Sequence, residues 1–457
     1  MSTDYGRLFV TIGVLLVWTL MLPAQSVAME PIQHWQLDNG ARVYFVPAPE
    51  LPILDVRVVF DAASSRDGTR PGLAELTNLL LDKGAGGISA DELASQVEGL
   101  GAHLGGGSLR DMAWVSLRTL SDERYLQPAV KLLSMVVTSP DFNNGDFERE
   151  RERMLVSVKM QEQQPSSVAS RAYYKAVYGE HPYATPPDGY QESLARIVLD
   201  EVKAFYRRYY TGSNALVVIV GDLDRAAAEK VARQVAGGLP KGETAGQIPE
   251  VPPVRFAAEE RIFHPSTQSH VLVGAPGMRR GDPDYFPLYV GNHILGGSGL
   301  VSLLSEEVRE KRGLSYSVYS YFSPMRRKGP FTLGLQTRNE QLDEALEVMR
   351  STLERFRSEG PSAQELEAAK KNITGGFALR TDSNAKIIEY LAMIGYYGLP
   401  LDYLDTFNDK VDAVTRDQIR DAFARRVDPE RMVTVVVGGN GADNTPKHDS
   451  AENNAGD

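Results

Sequence analysis

The 457-residue chain contains no cysteine. Disulfides and thiolate metal sites are therefore excluded, and the folded state rests on core packing alone. Histidine is scarce too: the seven are His34, His103, His181, His264, His270, His293 and His448, and no two stand three to five residues apart. Two histidines one helical turn apart, the usual opening of a zinc site, are thereby missing. His264 and His270 flank a five-residue stretch in the manner of facing hairpin ends. A basic excess is lacking as well. The formal net charge is -11, which gives no field to attract phosphate backbones and sets nucleic acid aside as a partner. Neither G-x-S-x-G, P-loop nor Rossmann spacing occurs, and the glycine-rich "GAHLGGGS" does not lie between a strand and a helix as a phosphate loop must. The alternation of Glu148, Glu150 and Glu152 with Arg149, Arg151 and Arg153 is the pattern of a solvated helix face.

The apolar run "LFVTIGVLLVWTLML", Leu8 to Leu22, has 15 residues, short of the roughly 20 that span a bilayer. Arg7 precedes it and the small-x-small pattern Ser26-Val27-Ala28 follows. Residues 1–28 read as a secretory signal peptide, with an uncleaved anchor as the rival. Export without cysteine fits the bacterial periplasm, with no stable membrane span left after cleavage.

What is present is an ordinary globular composition, 42% hydrophobic and 24% charged. It is divided in two. "GGLPKGETAGQIPEVPPVR", residues 237–255, is rich in Pro and Gly without apolar periodicity and reads as a linker. Similar signals recur on either side. "EVKAFYRRYYTGSNALVVIVG" closes one half and "QIRDAFARRVDPERMVTVVVG" the other, with Val202 and Gly221 each 217 residues before Ile419 and Gly438. We expect an α+β fold of two homologous domains, residues 31–236 and 256–440, each an antiparallel-rich β-sheet packed with a layer of helices. The tail 441–457 holds no large apolar residue and is expected to be disordered.

Local signals fill in this map. "WQLDNGARVYFV" predicts a hairpin turning at Asp38-Asn39-Gly40. Pro71 and Gly84 bracket a predicted helix with Leu73, Leu76 and Leu80 along one face. Ser89 and Glu92 have capping-box spacing. "DYFPLYVGNHILGG" and "LVSLLSEEVREKRG" read as helices, "LSYSVYSYF" and "GPFTLGLQT" as strands.

"PGLAELTNLLLDKGA", "LLSEEVREKRGLSYSVYS" and the duplication together resemble the pitrilysin and insulin-degrading zinc peptidases, and more closely the two-subunit processing peptidases and their bacterial relatives. The resemblance runs from about Trp35 to Gly439. Active members carry H-x-x-E-H on the first helix, two histidines binding zinc and a glutamate polarising water. Laid on this chain, those positions hold Glu75, Asn78 and Leu79, and the third ligand falls on Val156 or Ser157. A catalytic zinc needs three donors from His, Glu, Asp or Cys. The resemblance therefore implies no metal on this chain and zinc on a homologous partner with the intact signature.

Three further implications come from the resemblance. Arg309 and Tyr316, seven apart, occupy positions that reach the substrate, where a phenol donates to the oxyanion and a guanidinium holds the peptide backbone. On pattern alone Tyr316 alternates with Leu314 and Val318 as a core tyrosine would, and Arg309 closes its helix. "GAHLGGGSLRDMAWVSL" takes the place of the edge strand against which substrate lies extended; Gly105, Gly106 and Gly107 either admit that peptide closely or form a flexible loop. The function expected is a zinc-free subunit of a heterodimeric zinc endopeptidase, inactive alone. The alternative is a non-enzymatic periplasmic peptide-binding or scaffold protein of the same fold.

Overall fold

The computed structural model describes residues 30–439. The expected signal segment and tail, His448 included, lie outside the described residues. Every element named below belongs to the compact unit that begins at Ile32.

Alternating apolar strands build two sheets. The first holds β1 (Gln33–Gln36), β2 (Arg42–Pro47), β3 (Ile53–Phe60), β4 (His103–Ser108), β5 (Ala113–Leu120) and β6 (Ala215–Gly221), in the order β1-β2-β6-β3-β5-β4. The second holds β7 (Ala258–Phe263), β8 (Gln268–Pro276), β9 (Ser315–Phe322), β10 (Pro330–Arg338) and β11 (Val433–Gly438), in the order β7-β11-β8-β10-β9. In each sheet one pair is parallel, β2 with β6 and β7 with β11, and the other pairings are antiparallel. The two halves thus repeat one topology, an α+β duplication. β6 is buried at every residue because both faces are covered, which is why it reads "ALVVIVG" without polar alternation.

The covering helices are exchanged. Helices Glu123–Thr138 and Arg225–Ala236 pack together beside the first sheet. The opposite face of β6 receives a helix from the other half, Asn384–Tyr397, with the Arg42 guanidinium donating to the Gly395 carbonyl at 2.7 Å. A Cβ at Gly395 would stand 2.8 Å from Leu216, so glycine permits this approach. Reciprocally, helix Pro165–Tyr178 packs on β8 and β11, and the Tyr173 hydroxyl donates to the Phe331 carbonyl at 2.9 Å. Asp111, 3% exposed, accepts from the Tyr183 hydroxyl (2.6 Å), the Arg326 amide (2.6 Å) and the Tyr397 hydroxyl (3.0 Å). One carboxylate therefore ties both halves together. From Gly237 to Ala257 no helix or strand forms, yet Ile248 is buried and its carbonyl accepts from Arg327, so this stretch is strapped to the body.

Three local expectations change. The helix bracketed by Pro71 and Gly84 runs only from Leu73 to Leu79: the buried Asp67 carboxylate accepts the Gly72 and Ala74 amides at 2.8 Å and fixes its start, and its C-terminal end comes at Leu80, four residues before Gly84. His264 and His270 are not hairpin ends, since β11 is inserted between β7 and β8. The two helices expected after Asp284 are broken: a regular stretch Tyr285–Asn292 gives way to wide turns at His293–Gly297 and Ser305–Glu310.

Candidate functional site

Helix Leu73–Leu79 keeps the frame of a metal-binding helix, with Leu73, Leu76 and Leu80 in the core. Its polar residues do other work. The Asn78 amide, 5% exposed, donates to the Trp114 carbonyl at 3.2 Å and the Tyr210 hydroxyl at 3.4 Å, bolting the helix to β5. Glu75 is half-buried with Oε2 lacking a partner among the described residues. Burial, and secondarily the charge of Asp188, pushes its carboxyl up to about 7. Leu79 packs against the core cluster and offers no lone pair. Val156 and Ser157 lie on the exposed face of helix Asn144–Gln161. These residues do not fit zinc: one carboxyl that holds its proton near neutrality, a neutral amide already engaged, and an alkyl chain make no ligand set. Among the described residues no three His, Cys, Asp or Glu side chains stand together as ligands.

β4 is an edge strand, its outer side unpaired among the described residues. Gly105, Gly106 and Gly107 lie within it rather than in a loop. A Cβ at Gly105 would meet nothing within 4 Å, one at Gly106 would stand 2.9 Å from the Trp114 carbonyl and 3.0 Å from Asn78 Oδ1, and one at Gly107 would stand 2.5 Å from the Trp114 ring. Two of the three glycines thus make room inside the protein, and Gly105 faces open space.

Arg309 and Tyr316 meet. The guanidinium carbon stands 5.0 Å from the Tyr316 ring centroid, a cation–π contact. Tyr316 is 85% exposed although Leu314 and Val318 are buried. The reason is a β-bulge: Ser315 pairs with Thr337 and Ser317 with Gln336, leaving Tyr316 as the extra residue whose side chain is turned outward. Tyr316 is therefore not a core tyrosine. Arg309 does end its turn, its carbonyl accepting the Gly313 amide at 2.9 Å, but its guanidinium makes no ion pair among the described residues. The neighbouring carboxylate, Glu307, is taken up by Arg312, Arg355 and Lys311 and held down at about 2, the Arg312 hydrogen bond contributing most. Tyr319 and Tyr321 continue the strand as a stacked pair with centroids 5.8 Å apart.

Sequence reasoning did not find the bulge, the bolt made by Asn78, or Arg110, described further below. A bulge leaves no mark in apolar alternation.

A duplicated fold with a helix in the metal position, no ligand set and an exposed Arg–Tyr pair defines a zinc-peptidase framework whose own metal site is dismantled. The chain belongs to peptidase family M16. Residues 43–187 match the family described as Insulinase (Peptidase family M16), and residues 196–373 match the Peptidase M16 inactive domain. A crystal structure of the peptidase M16 inactive domain from Pseudomonas fluorescens is 40% identical with a TM-score of 0.87, covering 90% of this chain and 98% of that one. The uncharacterized zinc protease YmxG of Bacillus subtilis is 26% identical over 360 residues, 78% of this chain and 86% of that protein. The mitochondrial-processing peptidase subunit beta of Lentinula edodes is 24% identical over 367 residues, 77% of this chain and 78% of that protein.

Proposed function

We propose that this protein is the zinc-free subunit of a two-chain zinc endopeptidase. A homologous partner with intact H-x-x-E-H carries the metal; this chain lends Arg309 and Tyr316 to the partner's site and the β4 edge to the bound peptide. The observation that carries the reading is the contrast between Asn78, buried and engaged where a catalytic glutamate belongs, and Tyr316, turned outward by a bulge beside a free guanidinium.

The chemistry of this chain is then limited to binding and polarisation. An extended peptide adds to the unpaired amides and carbonyls of β4, with Gly105 allowing close approach. The Tyr316 phenol donates a hydrogen bond to the oxygen on which charge develops, and Arg309 beside it raises the local positive potential. Activation of the attacking water would be supplied by zinc bound to the partner's H-x-x-E-H and not by any residue of this chain. Likeness to a processing-peptidase subunit supports a two-chain assembly. The apolar run Leu8–Leu22 with its small-x-small site supports export to the periplasm, and among the described residues no helix is long and apolar enough to cross a membrane.

The test is reconstitution with the partner, sought as a similar chain encoded beside this one or recovered by co-purification. Turnover should appear or rise on mixing, and Tyr316→Phe should lower it by about 10²-fold. An unchanged rate with the Phe variant removes the catalytic role and leaves a scaffold or peptide-binding protein.

A further inference from the structure

Arg110 stands two residues beyond the end of β4, in a loop pinned where the Ser64 and Ser65 amides donate to the Leu109 and Arg110 carbonyls. Its guanidinium carbon lies 3.5 Å from the Tyr174 ring centroid, and its Nε donates to the Tyr183 carbonyl at 3.1 Å. Its two terminal amines make neither a hydrogen bond nor an ion pair among the described residues, although burial is deep enough to press its pKa down. Arg110 is half-buried, and a partly desolvated cation without a paired carboxylate is a group that natural chains keep where a ligand completes it.

The space in front of it is defined. A cavity of about 170 Å³ is bounded by Arg110, Arg171, Tyr174, Asp188, Gln161 and Ser170. Asp188 acts on Arg110 electrostatically but makes its ion pair with Arg171, at 2.7 Å; Arg171 also donates to the Gly189 carbonyl and to Gln161. The cavity therefore keeps one uncompensated positive charge and an aromatic floor.

We propose that Arg110 is an anchor for a carboxylate of the bound peptide, either its C-terminal group or an acidic side chain, seated over Tyr174 at the end of the β4 edge. A guanidinium with both terminal amines free presents the fork that a carboxylate accepts in bidentate fashion. The placement beyond Ser108 suits a peptide laid along β4 that ends, or bears its acid, in the cavity. This inference rests on the reading that the chain binds peptide.

The test is fluorescence anisotropy with the full chain and fluorescein-labelled octapeptides in matched pairs: free C-terminal acid against amide, and internal Glu against Gln. The acid member of one kind of pair is expected to bind about tenfold tighter than its neutral twin, which also identifies the source of the carboxylate. Arg110→Gln should abolish the preference and Arg110→Lys should retain part of it. Should Arg110→Gln fail to fold, Tyr174→Leu, which strips the ring that orients the guanidinium, takes its place with the same expected loss. Equal affinities within every pair, or a preference unchanged in Arg110→Gln, overturn the anchor while peptide binding stands. Glutarate provides a probe free of peptide. It should raise the Tm of the wild type and not of Arg110→Gln, upholding the anchor even where no peptide binds; no shift in either protein together with no acid preference overturns it.

Discussion

Glu75 and Asn78, one turn apart on helix Leu73–Leu79, are held in opposite ways. The Glu75 carboxyl keeps its proton to about pH 7 in the folded chain against an ordinary value of 4.5. The folded state therefore binds more protons than the unfolded state between those values. Stability contributed by this group is complete below about pH 4.5 and is lost as pH rises through 7, an effect on the order of 3 kcal/mol. Glu75→Gln, neutral at every pH, should flatten that slope and raise stability at pH 8; urea unfolding of both proteins from pH 5 to 8 measures it. Asn78 has the opposite character, since its amide is already satisfied by Trp114 and Tyr210. Asn78→Ala should cost about 1–3 kcal/mol by leaving those acceptors short of a donor, read as a fall in the denaturation midpoint. The lack of a complete ligand set was legible in the sequence, because Asn78 and Leu79 supply neither an imidazole nor a carboxylate beside Glu75. What the replacements do instead was not legible, because their partners Trp114, Tyr210 and Asp188 are distant in the chain.

Among the elements, β4 and β9 close the free edges of their sheets in corresponding places. In β4 the glycine run has two causes that substitution separates. Gly107→Ala sets a methyl group 2.5 Å from the Trp114 ring and should destabilise by about 1–3 kcal/mol through overpacking. Gly105→Ala meets nothing within the protein, so it should leave the melting temperature near the wild-type value while weakening peptide binding at the edge. Thermal melts of the pair, followed by peptide titration of the stable variant, check both outcomes. β9 illustrates why periodicity misleads: Leu314 and Val318 frame Tyr316 as a core residue until the extra residue opposite Gln336 and Thr337 shifts the phase. The strands and the hairpin at Asp38-Asn39-Gly40 were legible from turn residues and alternation. The start of the first helix was not, because Asp67, outside the apolar pattern, decides it.

For the molecule as a whole, the 217-residue repeat visible in the sequence corresponds to strands β6 and β11, interior strands at equivalent places in two matching sheets. The exchange of helices Pro165–Tyr178 and Asn384–Tyr397 has no sequence signature, since an amphipathic helix does not declare which sheet it covers. Asp111 secures that exchange. Asp111→Ala leaves the Tyr183 and Tyr397 hydroxyls and the Arg326 amide without their shared acceptor, and should cost about 1–3 kcal/mol for each donor left unsatisfied. Earlier cleavage in the Gly237–Ala257 strap under limited proteolysis should accompany it. The account as a whole turns on where the metal resides. Zinc analysis of the purified chain, paired with a peptide-cleavage assay with and without chelator, is the most direct measurement. The account predicts no tightly held ion and no cleavage by this chain alone, with activity emerging on addition of the partner. One firmly bound zinc per molecule together with chelator-sensitive cleavage by the isolated chain would contradict it.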